Sequence, residues 1–132
     1  MHPLILTVDC GTQSIRVAII DPQGKRVGFE KIAYEPYFSK QPGWAEQDPE
    51  VYWKGFCSAV RKLKENHAAL LSGLSGMVVS TLRDTAVAMD REGRVLRPSI
   101  IWLDQRKSSR KILFHLKDRA AFFISGMQNT VD

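Results

Sequence analysis

The stretch Val8-Asp9-Cys10-Gly11-Thr12-Gln13-Ser14-Ile15-Arg16 decides the fold, because it joins two apolar runs by a short polar turn. The runs 4–8 and 16–20 are rich in residues that favour strands. A connection this short joins antiparallel neighbours, since parallel strands need a long crossover. The turn Asp21-Pro22-Gln23-Gly24 and a third predicted strand over 25–34 follow. The chain is therefore predicted to open with a three-stranded antiparallel meander, which excludes a Rossmann fold, whose first strand leads directly into a helix.

A helix is predicted over about 49–66. Asp48 is a cap residue, Pro49 suits the first helical position, and Glu50 places a negative charge near the positive end of the helix dipole. Apolar residues then recur at helical spacing and predict one buried stripe. The stripe consists of Tyr52, Phe56, Ala59, Val60 and Leu63.

The remainder of the chain alternates short apolar runs with turns. A buried strand is predicted over 74–80, and no internal repeat or flexible linker interrupts the chain, so residues 1–132 form one α/β unit with a mixed sheet. The other predicted elements are strands over 85–89, 95–96 and 99–103, a turn over 90–93, and helices over about 104–117 and 119–124.

Composition excludes several classes of protein. The 132 residues are 44% hydrophobic and 25% charged, with a net charge of +5, which is typical of a globular domain and not of a disordered chain. No apolar run approaches the roughly 18 residues of a membrane span. Cys10 and Cys57 lie far apart with no metal-ligand spacing, so a reducing cytoplasm is expected. The basic residues between 106 and 119 lack a nucleic-acid motif and predict a solvated helix face. We expect neither a nucleic-acid nor a membrane partner.

The turn after the first strand carries the chemistry. Neither a Walker A motif nor GxGxxG is present. Gly11 allows the backbone to turn tightly, and the N–H groups from Gly11 to Ser14 can form a concavity for an anion. Thr12 and Ser14 add hydroxyl groups, Arg16 adds a positive charge, and Asp9 can hold Mg2+ directly or through water. The alternative interpretation is an ordinary polar hairpin turn.

This hairpin, with Ile19-Ile20-Asp21 and Gly24, resembles the first phosphate-binding hairpin of the FGGY carbohydrate kinases. That family belongs to the superfamily of actin, hexokinase and the heat-shock chaperone ATPases. The resemblance extends to about residue 126 and implies the ribonuclease H-like fold of the superfamily, here incomplete. Gln13 stands where many members carry Thr or Ser, but it can still donate to phosphate. Three further stretches match in order: 42–49 with Trp53, 80–85 with Asp90 and Gly93, and Pro98 with 101–106.

The resemblance also implies ligands and the residues that bind them. ATP and Mg2+ are the implied cofactors, with Asp9 at the metal. A sugar or polyol acceptor would meet Arg83, Asp84 and Trp102, as an Arg-acidic pair binds acceptor hydroxyls in glycerol kinases; a surface ion pair and a core tryptophan are the alternatives. Trp44 and Glu46 are interpreted as structural, and Asp104 and Arg106 as a pair or a helix cap. The nucleotide phosphates would meet Gly11, Thr12, Gln13, Ser14 and Arg16.

The predicted function is that of an N-terminal fragment of an ATP-dependent carbohydrate kinase of the xylulose or glycerol kinase type. The resemblance implies that this kinase has two lobes and that residues 1–132 are the N-terminal part of the first lobe. The full enzyme would transfer the γ-phosphoryl group of Mg-ATP to a hydroxyl group, and the Arg83-Asp84 pair favours a short polyol or an open-chain ketose. The family's general base and adenine-binding residues lie downstream, so no catalytic residue is assigned here and the chain alone is expected to be inactive. Expected partners are the remainder of the kinase chain and, through exposed apolar surface, a second copy in a homodimer. The alternatives are a non-catalytic interaction or regulatory module, and an ATPase of the actin or chaperone type.

Overall fold

The computed structural model describes residues 3–107 and 123–124. The main sheet has four strands in the order β3-β2-β1-β5, and β4 and β6 form a separate two-stranded sheet. Strand β5 is parallel to β1, and the other pairs are antiparallel. The predicted mixed sheet with an opening meander is therefore confirmed. The elements are β1 Leu4–Cys10, β2 Ser14–Ile20, β3 Arg26–Ala33, β4 Glu46–Gln47, α1 Glu50–Leu71, β5 Leu74–Ser80 and β6 Ser99–Ile100.

The core lies between the meander and α1. Val17 and Ile19 of the central strand β2 are completely buried, as are Ala59 and Leu63 of the helix. The side chains of β2 alternate between the two faces of the sheet, so every second residue faces the helix. A Cβ atom on Gly55 would lie 3.0 Å from the Ile15 side chain, which explains why helix and sheet approach so closely there.

Helix α1 follows the predicted stripe and is longer than predicted. At its start, the Asp48 carboxylate accepts a hydrogen bond of 3.0 Å from the N–H of Glu50. His67 has non-helical angles (φ −141°, ψ 36°), after which the helix resumes and continues to Leu71. The predicted helix, over about 49–66, ended just before this kink. In the described part of the chain, no helix is long and apolar enough to cross a bilayer.

Strand β5 is where the predicted burial was wrong. Met77, Val78 and Val79 are each more than half exposed. Parallel strands are normally covered on both faces and flanked on both sides. Among the described strands, β5 is the outer strand of the sheet and pairs only with β1. Its apolar sequence therefore forms an exposed edge.

The segment after β5 contains less regular structure than predicted. The strand predicted over 85–89 is reduced to two isolated bridges, Ala86 with Ile100 and Met89 with Val95. The predicted turn at 90–93 is confirmed: the Gly93 N–H donates to the Asp90 carbonyl at 3.1 Å, and the Asp90 carboxylate accepts from the backbone N–H groups of Glu92 and Arg94. The strand predicted over 99–103 ends at Ile100.

The predicted C-terminal helices are described only in part. Residues 104–107 are not helical. The Asp104 carboxylate instead accepts from the backbone N–H groups of Ala45 and Arg106 and ties this segment to the residue before β4. The remainder of that predicted helix lies outside the described residues. Of the helix predicted over 119–124, residues 123 and 124 are described and are helical.

Candidate functional site

The hairpin loop, residues 11–14, lies between β1 and β2 and is tightly folded. The Gly11 N–H donates to the Ser14 carbonyl at 3.0 Å, and a Cβ atom on Gly11 would lie 3.1 Å from that oxygen. A side chain at this position would therefore crowd the Ser14 carbonyl, so that this backbone oxygen would have to move. Among the described residues, no hydrogen bond uses the N–H groups of Thr12 or Gln13. These two donors are available to a ligand.

The hairpin loop forms one wall of a cleft of about 470 Å3. Of the residues that the structure describes, two cations line this cleft: Arg16, which the sequence predicted, and Lys31, which it did not. Lys31 lies directly opposite Arg16 in the pairing of β2 with β3, and its side chain is exposed. Only the strand register, which the sequence did not supply, could have identified it. The lining residues are Gly11, Thr12, Gln13, Ser14, Arg16, Lys31, Ala33, Pro36, Tyr37, Trp102 and Leu103.

Asp9 lies at the end of β1 and binds Arg16. Their carboxylate and guanidinium groups are 2.6 Å apart, and each side chain is about half exposed. Within the described residues, no cluster of three metal-ligating side chains occurs. Because Mg2+ usually binds one or two carboxylates together with substrate phosphates and water, the single Asp9 carboxylate fits a metal that is held mainly by the nucleotide.

Trp102 is brought to the hairpin loop from 90 residues away in the sequence. Its indole Nε1 donates to the Thr12 hydroxyl at 3.0 Å, and the residue is 56% exposed. The alternative that Trp102 is a tryptophan of the hydrophobic core is therefore wrong for the described part of the chain. The indole instead lines the cleft beside the loop, where its face can contact the carbon atoms of a ligand.

A cluster around the buried Glu46 carboxylate fixes the segment that carries Trp102. We call it the Glu46 clamp, and it consists of Trp44, Glu46, Arg97, Asp104 and Arg106. The Glu46 carboxylate is 4% exposed and accepts hydrogen bonds from Arg97 at 2.9 Å and Arg106 at 3.0 Å. The Arg106 guanidinium stacks on the Trp44 ring at 4.1 Å and pairs with Asp104. Hydrogen bonding from Arg106 lowers the pKa of the Asp104 carboxyl strongly. The clamp shows the structural contacts predicted for Trp44 and Glu46 and the predicted Asp104–Arg106 pair.

Arg83 and Asp84 do not line the cleft. Both are exposed, and the described residues contain no ion pair between them, so the surface-pair interpretation finds no support. Asp84 has a φ of 53°, in the left-handed region, so the backbone turns at this point. The preceding strand β5 ends at Ser80, which is paired with Asp9. Arg83 and Asp84 therefore follow the same edge of the sheet as the hairpin, where the carboxyl ends of β1 and β5 meet.

Behind the loop lies a group of side chains that stay neutral. Burial raises the pKa of the partly buried Cys10 thiol. Burial also raises the pKa of Tyr34, and it raises the pKa of Tyr52 to about 12. Both hydroxyl groups are thus hydrogen-bond donors at neutral pH: Tyr34 donates to the Gly11 carbonyl and Tyr52 to the Gln47 side chain.

Comparison with known proteins gives a consistent result. Residues 4–121 match the model of the N-terminal domain of the FGGY family of carbohydrate kinases. A glycerol kinase of Rhizobium meliloti (strain 1021) is 31% identical over 110 residues, which is 83% of this chain and 22% of the relative. A glycerol kinase of Petrotoga mobilis is 30% identical over 132 residues, which is 99% of this chain and 25% of the relative.

Solved structures of similar proteins share the fold. A xyloylose kinase from Brucella ovis superimposes with a TM-score of 0.75 at 33% identity, covering 78% of this chain and 22% of that protein. Glycerol kinase from Plasmodium falciparum with ADP superimposes with a TM-score of 0.64 at 26% identity, covering 80% and 21% respectively. The chain thus spans about a quarter or less of the length of these relatives.

Proposed function

Because the chain belongs to the FGGY family of carbohydrate kinases, we propose that the complete protein transfers the γ-phosphoryl group of ATP to a hydroxyl group of a sugar or polyol. The chain would supply the first phosphate-binding hairpin and part of the acceptor site. The observation that carries this proposal is the convergence of the hairpin loop, Arg16 and Trp102 on one cleft.

The nucleotide phosphates are proposed to bind at the hairpin loop. The N–H groups of Thr12 and Gln13, which make no hydrogen bond among the described residues, suit an anionic ligand. Arg16 and Lys31 supply positive charge on the cleft wall. Preorganised donors of this kind stabilise the charge that spreads over a transferring phosphoryl group. Mg2+ bound to the nucleotide would neutralise phosphate charge, with Asp9 fixing its position through the exposed part of its carboxylate.

The acceptor is proposed to bind between Trp102 and the turn at 83–84. A carboxylate such as Asp84 accepts hydrogen bonds from two hydroxyl groups, and the Arg83 guanidinium donates through a planar fork. Trp102 would contact the carbon face of the acceptor. Relatives named glycerol kinase and xyloylose kinase support a short polyol or an open-chain ketose as the acceptor class.

The setting of this activity is also part of the proposal. We propose a cytoplasmic enzyme in which further polypeptide completes the lobe and supplies the general base and the adenine site. The exposed apolar edge of β5 supports contact with that polypeptide or, in its absence, pairing with a second copy of the chain. No nucleic-acid or membrane partner is proposed.

A coupled assay of ADP release tests the proposal. The complete protein should release ADP when glycerol or xylulose is added, and the purified 132-residue chain should not. ADP release by the complete protein that needs no acceptor would indicate an ATPase of the actin or chaperone type instead. Absence of release with every polyol and ketose in a panel would favour a non-catalytic module.

A further inference from the structure

We infer that Gln47 is a positioning residue for the hairpin loop: together with Tyr34, it holds three successive peptide groups so that their N–H groups face the cleft. The inference rests on the proposed function, because it assigns nucleotide phosphate as the ligand of these N–H groups.

The carbonyl groups of the hairpin loop are all hydrogen-bonded at residues 11, 12 and 13. The Gly11 carbonyl accepts from the Tyr34 hydroxyl, and the Gln13 carbonyl accepts from the Tyr34 backbone N–H at 3.1 Å. Between them, the Thr12 carbonyl accepts from the Gln47 side-chain amide at 2.9 Å. Three consecutive carbonyl oxygens are thus held by two residues on one side of the loop.

Peptide geometry then fixes the direction of the N–H groups. All described peptide bonds are trans, and in a planar trans peptide the C=O and N–H bonds point in opposite directions. The N–H groups of Thr12, Gln13 and Ser14 therefore point away from Tyr34 and Gln47. Neither of these two residues lines the cleft, whereas all four residues of the hairpin loop do.

Gln47 is held rigidly enough to act in this way. It is 1% exposed, and its Nε2 donates to both the Thr12 and the Glu35 carbonyl groups at 2.9 Å. Its Oε1 accepts from the Tyr52 hydroxyl at 2.5 Å. The opposite orientation of the amide would place Oε1 against two carbonyl oxygens, so this network permits only one orientation.

The position of Gln47 in β4 links the two halves of the site. Successive side chains of a strand point to opposite faces. Gln47 reaches the hairpin loop, while its neighbour Glu46 holds the clamp that fixes the Trp102 segment. A two-residue strand therefore connects the phosphate-binding loop with the acceptor wall.

Nuclear magnetic resonance on the 15N-labelled chain tests the inference. The variant Gln47→Met keeps the length of the side chain and removes its donors and acceptor; Gln23→Met is the matched control, because Gln23 is an exposed turn residue. The 1H–15N heteronuclear NOE, measured without ligand, reports the order of the loop. We expect Thr12 and Gln13 to be as ordered as the strands in the wild type and in Gln23→Met, and to become mobile in Gln47→Met.

Binding of Mg-ATP is the second measurement. Loss of the oriented donors should raise the Kd of Gln47→Met about tenfold or more, and Gln23→Met should bind like the wild type. An unchanged NOE and an unchanged Kd in Gln47→Met would overturn the inference. If the wild type ignores Mg-ATP, a loop loosened by Gln47→Met still supports the positioning role, and the nucleotide assignment alone fails. Should Gln47→Met not fold, Tyr34→Phe, which removes only the hydroxyl bound to Gly11, provides the test: a loop that stays ordered in that variant would overturn the inference.

Discussion

Removal of the Glu46 carboxylate should destabilise the protein and release the Trp102 segment. The side chain is 4% exposed, and one of its oxygens accepts from both Arg97 and Arg106. Breaking a fully buried ion pair by deleting one partner costs about 3–5 kcal/mol. Arg97 is 42% exposed and can be rehydrated, and Arg106 keeps its contact with Asp104. We therefore expect Glu46→Ala to lower the free energy of unfolding by about 2–3 kcal/mol, which is less than the cost of breaking a fully buried ion pair.

Urea denaturation followed by circular dichroism measures this effect. The denaturation midpoint should fall with little change in the slope, since the surface exposed on unfolding stays nearly the same. Glu46→Gln retains an acceptor oxygen, so its free energy of unfolding should fall less than that of Glu46→Ala. Glu92→Ala removes an exposed carboxylate that lies 3.3 Å from Arg94, and as a control it should change stability by less than about 1 kcal/mol. A Glu46→Ala variant as stable as this control would refute the reasoning about the clamp.

Three further predictions concern Tyr52, Asp9 and Asp84. Burial raises the pKa of Tyr52 to about 12, whereas an unfolded tyrosine titrates near about 10. Neutral Tyr52 therefore stabilises the folded state fully below about pH 10, and this contribution is lost as the pH rises towards 12. The free energy of unfolding, measured over roughly pH 8 to 11.5, should fall less steeply with pH in Tyr52→Phe than in the wild type. In the complete protein, Asp9→Asn should reduce kcat by about 100-fold or more if the carboxylate positions Mg2+. The temperature of thermal unfolding should change little, because the Asp9–Arg16 pair is half exposed. Near-normal turnover would show that Asp9 does not belong to the site. Asp84→Ala should raise the acceptor KM about tenfold or more and leave the KM for ATP nearly unchanged. Separate titration of the two substrates measures both constants. A rise in the KM for ATP alone would contradict the assignment of Asp84 to the acceptor site.

Local patterns were sufficient to predict the meander and the helix. The short polar connection after β1 requires antiparallel neighbours, and Asp48 with the apolar stripe marks the start and the buried face of α1. These features depend on residues that are close in sequence, and the structure confirms them.

Features that depend on distant partners could not be predicted in the same way. Glu46 meets arginines 51 and 60 residues further along the chain, and Gln47 reaches back 35 residues to Thr12. In the sequence both residues simply belong to a polar loop. The apolar run of β5 is typical of a covered parallel strand, but coverage depends on neighbours that the run itself does not encode. The candidate site was thus predictable as a motif, whereas the contacts that orient it were not.

Mapping where Mg-ATP binds on the 15N-labelled chain tests directly whether the hairpin loop holds nucleotide phosphate. We expect saturable shifts of the backbone amide signals of Thr12, Gln13 and Ser14, with smaller changes at Arg16 and Trp102. These shifts should weaken in Gly11→Val, because a Cβ atom at that position would lie 3.1 Å from the Ser14 carbonyl oxygen and would displace it. Saturable shifts confined to another surface, or an identical response in Gly11→Val, would contradict the claim that the hairpin loop binds nucleotide phosphate.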